Sequence, residues 1–140
     1  MTEASRPTID ELRSQLGKKA APAVVGIDNS TVRLYCDAIG DTSPKWKEVA
    51  PPGLLFAAMF FGQGFPVDFP FAGVVDLGSE VEFMAPIRPG DVITTVTEFA
   101  DLEDKSGEKG RRAFMTFRST HKNQRDEVVA VSTSRIMSFG

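Results

Sequence analysis

Cysteine and histidine are nearly absent from this chain of 140 residues, which carries one of each, Cys36 and His121. A lone cysteine excludes an internal disulfide and any cysteine-based zinc cluster. Cys36 falls within an expected helix, where a buried structural thiol is the expectation rather than a nucleophile. His121 lies between an expected strand and the polar turn "KNQRD" and reads as a solvated edge residue. No metal-ligand cluster and no glycine-rich dinucleotide fingerprint is present, so neither a metal nor a redox cofactor is expected. Excess positive charge is lacking too. A formal net charge of −3 gives no electrostatic case for nucleic acid or an anionic membrane as partner. The longest apolar run, "GLLFAAMFF", is about half the length a bilayer span needs. The opening "MTEASRPTIDEL" has no apolar h-region, so no signal peptide is expected and the cytoplasm is the expected location. Repeats, low-complexity tracts and linkers are also missing, which leaves residues 1–140 as one expected domain.

What is present is ordered helices first, strands second. "TIDEL" has the form of a capping box, with Thr8 and Glu11 exchanging hydrogen bonds at the start of a short helix running to about Gly17. "PAVVGI" reads as a brief strand. Asp28 or Asn29 can cap a second helix, "STVRLYCDAI", with Val32, Cys36 and Ile39 on one face and Gly40 closing it. "DTSPKWKEVAPP" is a proline-broken loop. "GLLFAAMFFG" follows, apolar on every side, as befits a short helix wrapped all round by other structure. From Val74 the pattern becomes β. "VVDLGSEVEFMAPI" alternates, placing Val81 and Phe83 on one face and Glu80 and Glu82 on the other. "DVITTVTEFADL", "RRAFMTFRSTH" and "EVVAVSTSRIMSF" complete an antiparallel set. The class is α+β, with a sheet curled around the apolar helix. An open sheet edge and apolar face imply at least a dimer.

Three stretches carry a family resemblance: "YCDAIGDTSP", "PPGLLFAAM" and "VEFMAPIRPGD". Together the chain resembles the MaoC-like, hot-dog-fold acyl-CoA hydratases and dehydratases. The likeness is strongest to the FAS1-like half-domain at the N-terminus of their double-hot-dog members. The resemblance implies an acyl-CoA or acyl-carrier-protein thioester as substrate and no other cofactor. It also implies reversible hydration of a trans-2-enoyl group to the (R)-3-hydroxyacyl product. That chemistry needs a base to activate water at Cβ, an acid to protonate Cα, and a donor for the enolate-like oxygen.

Carried over residue by residue, the family's aspartate matches Asp41 and its proline matches Pro44, while Ser43 stands where asparagine is usual. Trp46 stands where the family has its catalytic histidine. Gly53 matches the glycine whose N–H faces the thioester oxygen. An indole N–H donates a hydrogen bond but exchanges no proton near neutral pH, so Asp41 alone can be only half of an acid–base pair. Asp41 also has a plain reading as a turn residue.

Substrate contacts are expected from Gly53, Phe56, Phe65 and Phe69, within a stretch that holds six of the 11 phenylalanines (also Phe60, Phe61 and Phe71). The segment "GQGFPVDFPFAG" cannot be regular structure and is expected to cover a partner or an acyl chain. The phosphates of coenzyme A want cations at the mouth, for which Lys45 and Arg88 are the first candidates, with Lys47, Arg111 and Arg112 behind them. The resemblance implies a second MaoC-like hot-dog subunit that carries an intact Asp/His pair. Two other readings remain open: a homo-oligomeric hot-dog thioesterase using Asp41, Glu48 or Asp68, and a non-enzymatic acyl-thioester-binding module.

Overall fold

The computed structural model describes residues 5–59 and 64–140. Helix α1 (Ile9–Ser14) begins with the expected capping box: Thr8 Oγ1 accepts the Glu11 N–H at 3.1 Å, and Glu11 Oε2 accepts the Thr8 N–H at 2.8 Å. Strand β1 is Ala23–Ile27. Helix α2 (Asn29–Ile39) is capped by Asp28, whose Oδ1 accepts the Thr31 N–H at 2.7 Å. It stops at Gly40, which takes the left-handed conformation (φ 71°) that a β-carbon disfavours. Helix α3 spans Pro52–Met59; Phe60 and Phe61 lie outside the described residues.

Four long strands follow: β2 (Gly73–Phe83), β3 (Asp91–Asp104), β4 (Arg112–Lys122) and β5 (Val128–Phe139). They form one antiparallel sheet with β1, in the order β1-β3-β4-β5-β2. The sheet curls into a half-barrel with α2 and α3 against its inner face, as the α+β hot-dog reading expects.

Two apolar clusters fill that inner face. The first joins Val32 and Cys36 of α2, Leu54 and Leu55 of α3, and Ile27, Ile87, Ile93, Val129 and Ala130. The second joins Leu12, Val67, Phe99, Met115, Phe117 and Ile136. Between them the register puts a polar belt across three strands: Thr95 opposite His121, Thr97 opposite Ser119, and Ser119 opposite Ser132. The belt is buried and paired within itself, since Thr97 Oγ1 lies 2.8 Å from Ser119 Oγ.

His121 is therefore not a solvated edge residue. It is fully buried, because β4 runs on to Lys122 and the strand alternation turns His121 inward with Ala113, Met115, Phe117 and Ser119. Its Nδ1 lies 2.7 Å from Thr95 Oγ1 and its Nε2 2.9 Å from Ser132 Oγ. Three further expectations of burial need correction. Ile39, in the last turn of α2, is exposed. Phe83 is also exposed and only Val81 is half-buried, because β2 is an edge strand whose ends the chain does not cover. And α3 is not wrapped on every side: Leu54 and Leu55 are buried while Phe56 faces outward.

Candidate functional site

The loop from α2 to α3 builds the site. After Gly40 turns the chain, the Asp41 N–H donates to Cys36 O at 3.0 Å, and Asp41 Oδ1 accepts the Ser43 N–H at 3.0 Å. Asp41 thus sits in a side-chain-closed turn. The Ser43 N–H is the main cause that holds its carboxyl below the usual carboxylate range. The Trp46 indole comes next and the Lys45 charge adds to it, against an opposing effect of burial. Pro44–Lys47 make one 3-10 turn, which lays the Trp46 ring against the first apolar cluster.

Trp46 Nε1 is sealed from solvent and has no hydrogen-bond partner among the described residues. Its dipole is near enough to influence Asp41, yet the N–H falls short of a hydrogen bond to that carboxylate. The Lys45 ammonium lies 4.4 Å from the centre of the Trp46 ring, a cation–π contact. Lys47 and Glu48 are exposed.

Ala50 donates its N–H to Ile87 O at 2.6 Å, tying the loop to the turn that carries Arg88. Arg88 is exposed; its backbone N–H donates to Asp91 Oδ2 at 2.9 Å, which shapes the turn. Helix α3 starts immediately beyond this tie. Pro52 supplies no N–H and Leu54 donates to Pro51 O at 3.0 Å, while the Gly53 N–H has no backbone acceptor before the helix. Tyr35, from α2, reaches across so that a Cβ on Gly53 would overlap its hydroxyl. An apolar cleft of about 340 Å³ opens alongside, lined by Val49, Pro52, Phe83, Met84 and Ile87 among others.

Asp41, Trp46, Lys45, Gly53 and Arg88 therefore gather around the first apolar cluster. Phe65 and Phe69 do not join them. Their rings lie 5.1 Å apart, and Phe65 lies 4.9 Å from Phe117, over the second cluster on the far side of the polar belt. Phe56 is on α3, partly exposed. Arg111 and Arg112 belong to the opposite end of the sheet, where Arg112 pairs with Phe139 and the Arg111 guanidinium covers Phe71 at 4.7 Å. Lys122 stands ten positions along β4 from Arg112, roughly 33 Å of extended chain, so neither arginine serves the mouth near Gly53. Asp68 is exposed beside Phe65.

Burial and the carboxylates of Asp41 and Asp37 raise the Cys36 thiol above its ordinary range, which makes it a poor nucleophile and fits the structural role expected of it. Among the described residues no three His, Cys, Asp or Glu side chains gather as metal ligands, and no helix is long and apolar enough to cross a membrane. The site residue that sequence reasoning missed is Tyr35. Its signal was the Val32, Tyr35, Cys36 spacing of three and four, which puts it on the inward face of α2.

A family model described as the FAS1-like dehydratase domain region matches residues 14–132. Among solved structures, the chain resembles the ChsH1-ChsH2 complex from Mycobacterium tuberculosis with a TM-score of 0.70 at 22% identity, covering 86% of this chain and 84% of that one. It resembles a C-terminally truncated HadBC (3R-hydroxyacyl-ACP dehydratase) complex from the same organism with a TM-score of 0.69 at 15% identity, covering 89% and 97%. A MaoC-like dehydratase from Rhodospirillum rubrum gives 0.65 at 20% identity, covering 89% and 92%. No curated protein matches the sequence. At these identities the solved structures establish the hot-dog fold.

Proposed function

The chain belongs to the FAS1-like dehydratase family, and on that premise we propose that it is the half of a cytoplasmic, hetero-oligomeric enoyl-thioester hydratase that lacks the proton-transfer pair. Its substrate class is an acyl thioester of coenzyme A or acyl-carrier protein. The observation that carries the reading is Trp46. Where the family's chemistry wants an imidazole, this chain has a donor-only indole beside a carboxylate whose pKa is depressed. A carboxylate of that kind is a weak base, and the indole cannot accept the proton that base catalysis removes from water.

In the reaction, the base takes one proton from water as its oxygen bonds to Cβ, and electron density moves to the thioester oxygen. A proton then reaches Cα, so that H and OH are added across the double bond. A partner hot-dog subunit supplies the base and acid. This chain contributes the unpaired Gly53 N–H for the oxygen, a carboxylate at Asp41 that helps order the loop, and cations at Lys45 and Arg88 for the carrier's phosphates. Phe56, Phe65 and Phe69 provide acyl-facing surface.

Support for a partner comes from what this chain leaves open. On β2 and just beyond it, Val74, Val75, Leu77, Phe83 and Met84 are all exposed, and among the described residues β2 pairs only with β5. A long apolar edge of this kind is a template for pairing with another sheet. Two of the similar solved structures are themselves two-component complexes, ChsH1-ChsH2 and HadBC.

The test is hydration of crotonyl-CoA and of a longer enoyl-CoA, by the chain alone and with a co-purified hot-dog partner bearing Asp and His. Activity that depends on the partner is expected. Hydration by the chain alone removes the half-site reading. Release of free CoA without hydration moves the assignment to a thioesterase.

A further inference from the structure

We propose that Tyr35 is a second oxygen-binding donor of this site: its phenol O–H and the Gly53 N–H together hold the carbonyl oxygen of the acyl thioester at the start of α3. This rests on the acyl-thioester reading and adds to it a residue on a different helix.

The geometry begins at Gly53. In a helical residue (φ near −60°) the N–H bond and the Cα–Cβ bond leave the backbone nearly eclipsed, so both point to the same side of the chain. The Tyr35 hydroxyl occupies the place a Gly53 Cβ would take, with the ring carbon that bears it close behind. It therefore lies on the side toward which the Gly53 amide points. Two donors face one small space.

Both donors are unspent. The Gly53 N–H has no backbone acceptor among the described residues. The Tyr35 ring packs against the first apolar cluster, which fixes the direction of the phenol. The hydroxyl makes no hydrogen bond to the described residues, and unlike Trp46 Nε1 it is not sealed from solvent. A half-buried phenol fixed by its ring and left without an acceptor is arranged for one that arrives.

The ligand chemistry follows from the donors. An oxygen with lone pairs and no proton suits two N–H and O–H groups on one side, as a thioester carbonyl does. It suits them better as negative charge builds on that oxygen. The apolar cleft beginning at Pro52 gives the attached chain a dry wall. Glycine at position 53 is then required by the phenol, since any larger residue drives the Tyr35 hydroxyl away.

The experiment titrates the full chain with crotonyl-CoA carrying ¹³C at the thioester carbonyl, and reads both affinity and the carbonyl stretch by difference infrared spectroscopy. Wild-type binding should lower the stretch relative to free crotonyl-CoA. Tyr35→Phe, which removes only the oxygen, should return part of that shift and weaken crotonyl-CoA about three- to tenfold, while leaving the affinity for CoA itself unchanged. Gly53→Ala, which keeps the hydroxyl but displaces it, should return a similar part of the shift. An unaltered stretch and affinity in Tyr35→Phe, with crotonyl-CoA still bound, overturns the role of Tyr35 and leaves the thioester reading standing. Failure of the wild-type chain to bind crotonyl-CoA both alone and with its co-purified partner overturns the thioester reading for this site, and the role of Tyr35 with it.

Discussion

His121 stands between Thr95 and Ser132 inside the sheet, with both ring nitrogens within 3 Å of a hydroxyl (2.7 and 2.9 Å) and, among the described residues, no carboxylate beside it. A neutral imidazole satisfies both hydroxyls, one as donor and one as acceptor. Burial lowers its pKa from 6.5 to about 4. Between those values the unfolded chain binds the proton and the folded chain does not. The contribution of His121 to stability is therefore whole above pH 6.5 and is lost as the pH falls toward 4. It amounts to about 3 kcal/mol. Urea melts at pH 7.5 and pH 4.5 should show a drop of that order. His121→Gln should be less stable at neutral pH yet nearly flat across the same window. The depressed carboxyls of Asp28, Asp41 and Asp104 titrate below their ordinary range, so their losses come at lower pH and leave this window clear. An equal slope in the variant would assign the pH dependence elsewhere.

Trp46 carries a sealed N–H with no acceptor among the described residues, and that invites a substitution that removes only the N–H. Trp46→Phe keeps an aromatic ring against the first cluster and under Lys45 but removes the orphan donor. A buried donor left unpaired costs about 1–3 kcal/mol, which offsets most of the loss in ring area. Thermal melting should place the variant within about 1 kcal/mol of wild type, where a well-partnered core tryptophan truncated in this way would lose more. The Asp41 pKa should rise slightly, readable by NMR titration, as the indole dipole is withdrawn. Hydration by the partnered assembly should be unchanged, because Trp46 moves no proton. A large loss of turnover with normal binding would give Trp46 a part in the chemistry.

Much of the fold was legible because strand and helix periods leave plain marks. The capping box at Thr8, the glycine stop at Gly40 and the β-branched runs all fell where the chain puts them. Burial was harder to read wherever it depends on neighbours distant in sequence. Val81 and Phe83 alternate correctly, but their strand lies at the sheet edge, so the apolar face has little to cover it. His121 was misread although its alternation with Phe117 and Ser119 was visible. Hydroxyl-bearing residues on the inward face look like solvent-facing ones until the cross-strand register pairs them. At the site, Asp41, Trp46 and Gly53 could be picked out by motif. Tyr35 shows only an inward helical spacing, since its approach to Gly53 is a contact between two helices that no local pattern encodes.

The exposed face of β2 makes a prediction about assembly. Leu77 is 48% exposed on an edge strand, at the bulge between Asp76 and Gly78 and two residues from exposed Val75. Leu77→Lys places a charge on that edge without disturbing a packed side chain, so the stability of the isolated chain should change by less than about 0.5 kcal/mol. Light scattering after size exclusion should show the variant losing association with itself or with a partner subunit. Retention of the wild-type mass would move the interface to another surface, with the exposed side of α3 near Phe56 the next to examine.

Phe65 and Phe69 sit at the far end of the inner face, beyond the polar belt, and their distance from Gly53 bears on chain length. On the acyl-thioester reading proposed above, a short enoyl group at Gly53 would lie by the first cluster, and only a longer one could reach the rings at the second. Phe65 is 48% exposed and rests edge-on against Phe69 and tilted against Phe117, so Phe65→Ala opens space at modest cost, about 1–2 kcal/mol. Phe117→Ala, fully buried and stacked 5.5 Å from Phe99, should lose about 3–5 kcal/mol and serves as the contrast. In the partnered assembly, Phe65→Ala should leave crotonyl-CoA turnover nearly unchanged and shift kcat/KM among longer enoyl-CoAs. The direction follows from what the ring does now: if it blocks the path, longer chains gain, and if it covers the bound chain, they lose. Unchanged kinetics across all acyl lengths would remove Phe65 from the substrate path and leave it as cover for Phe117.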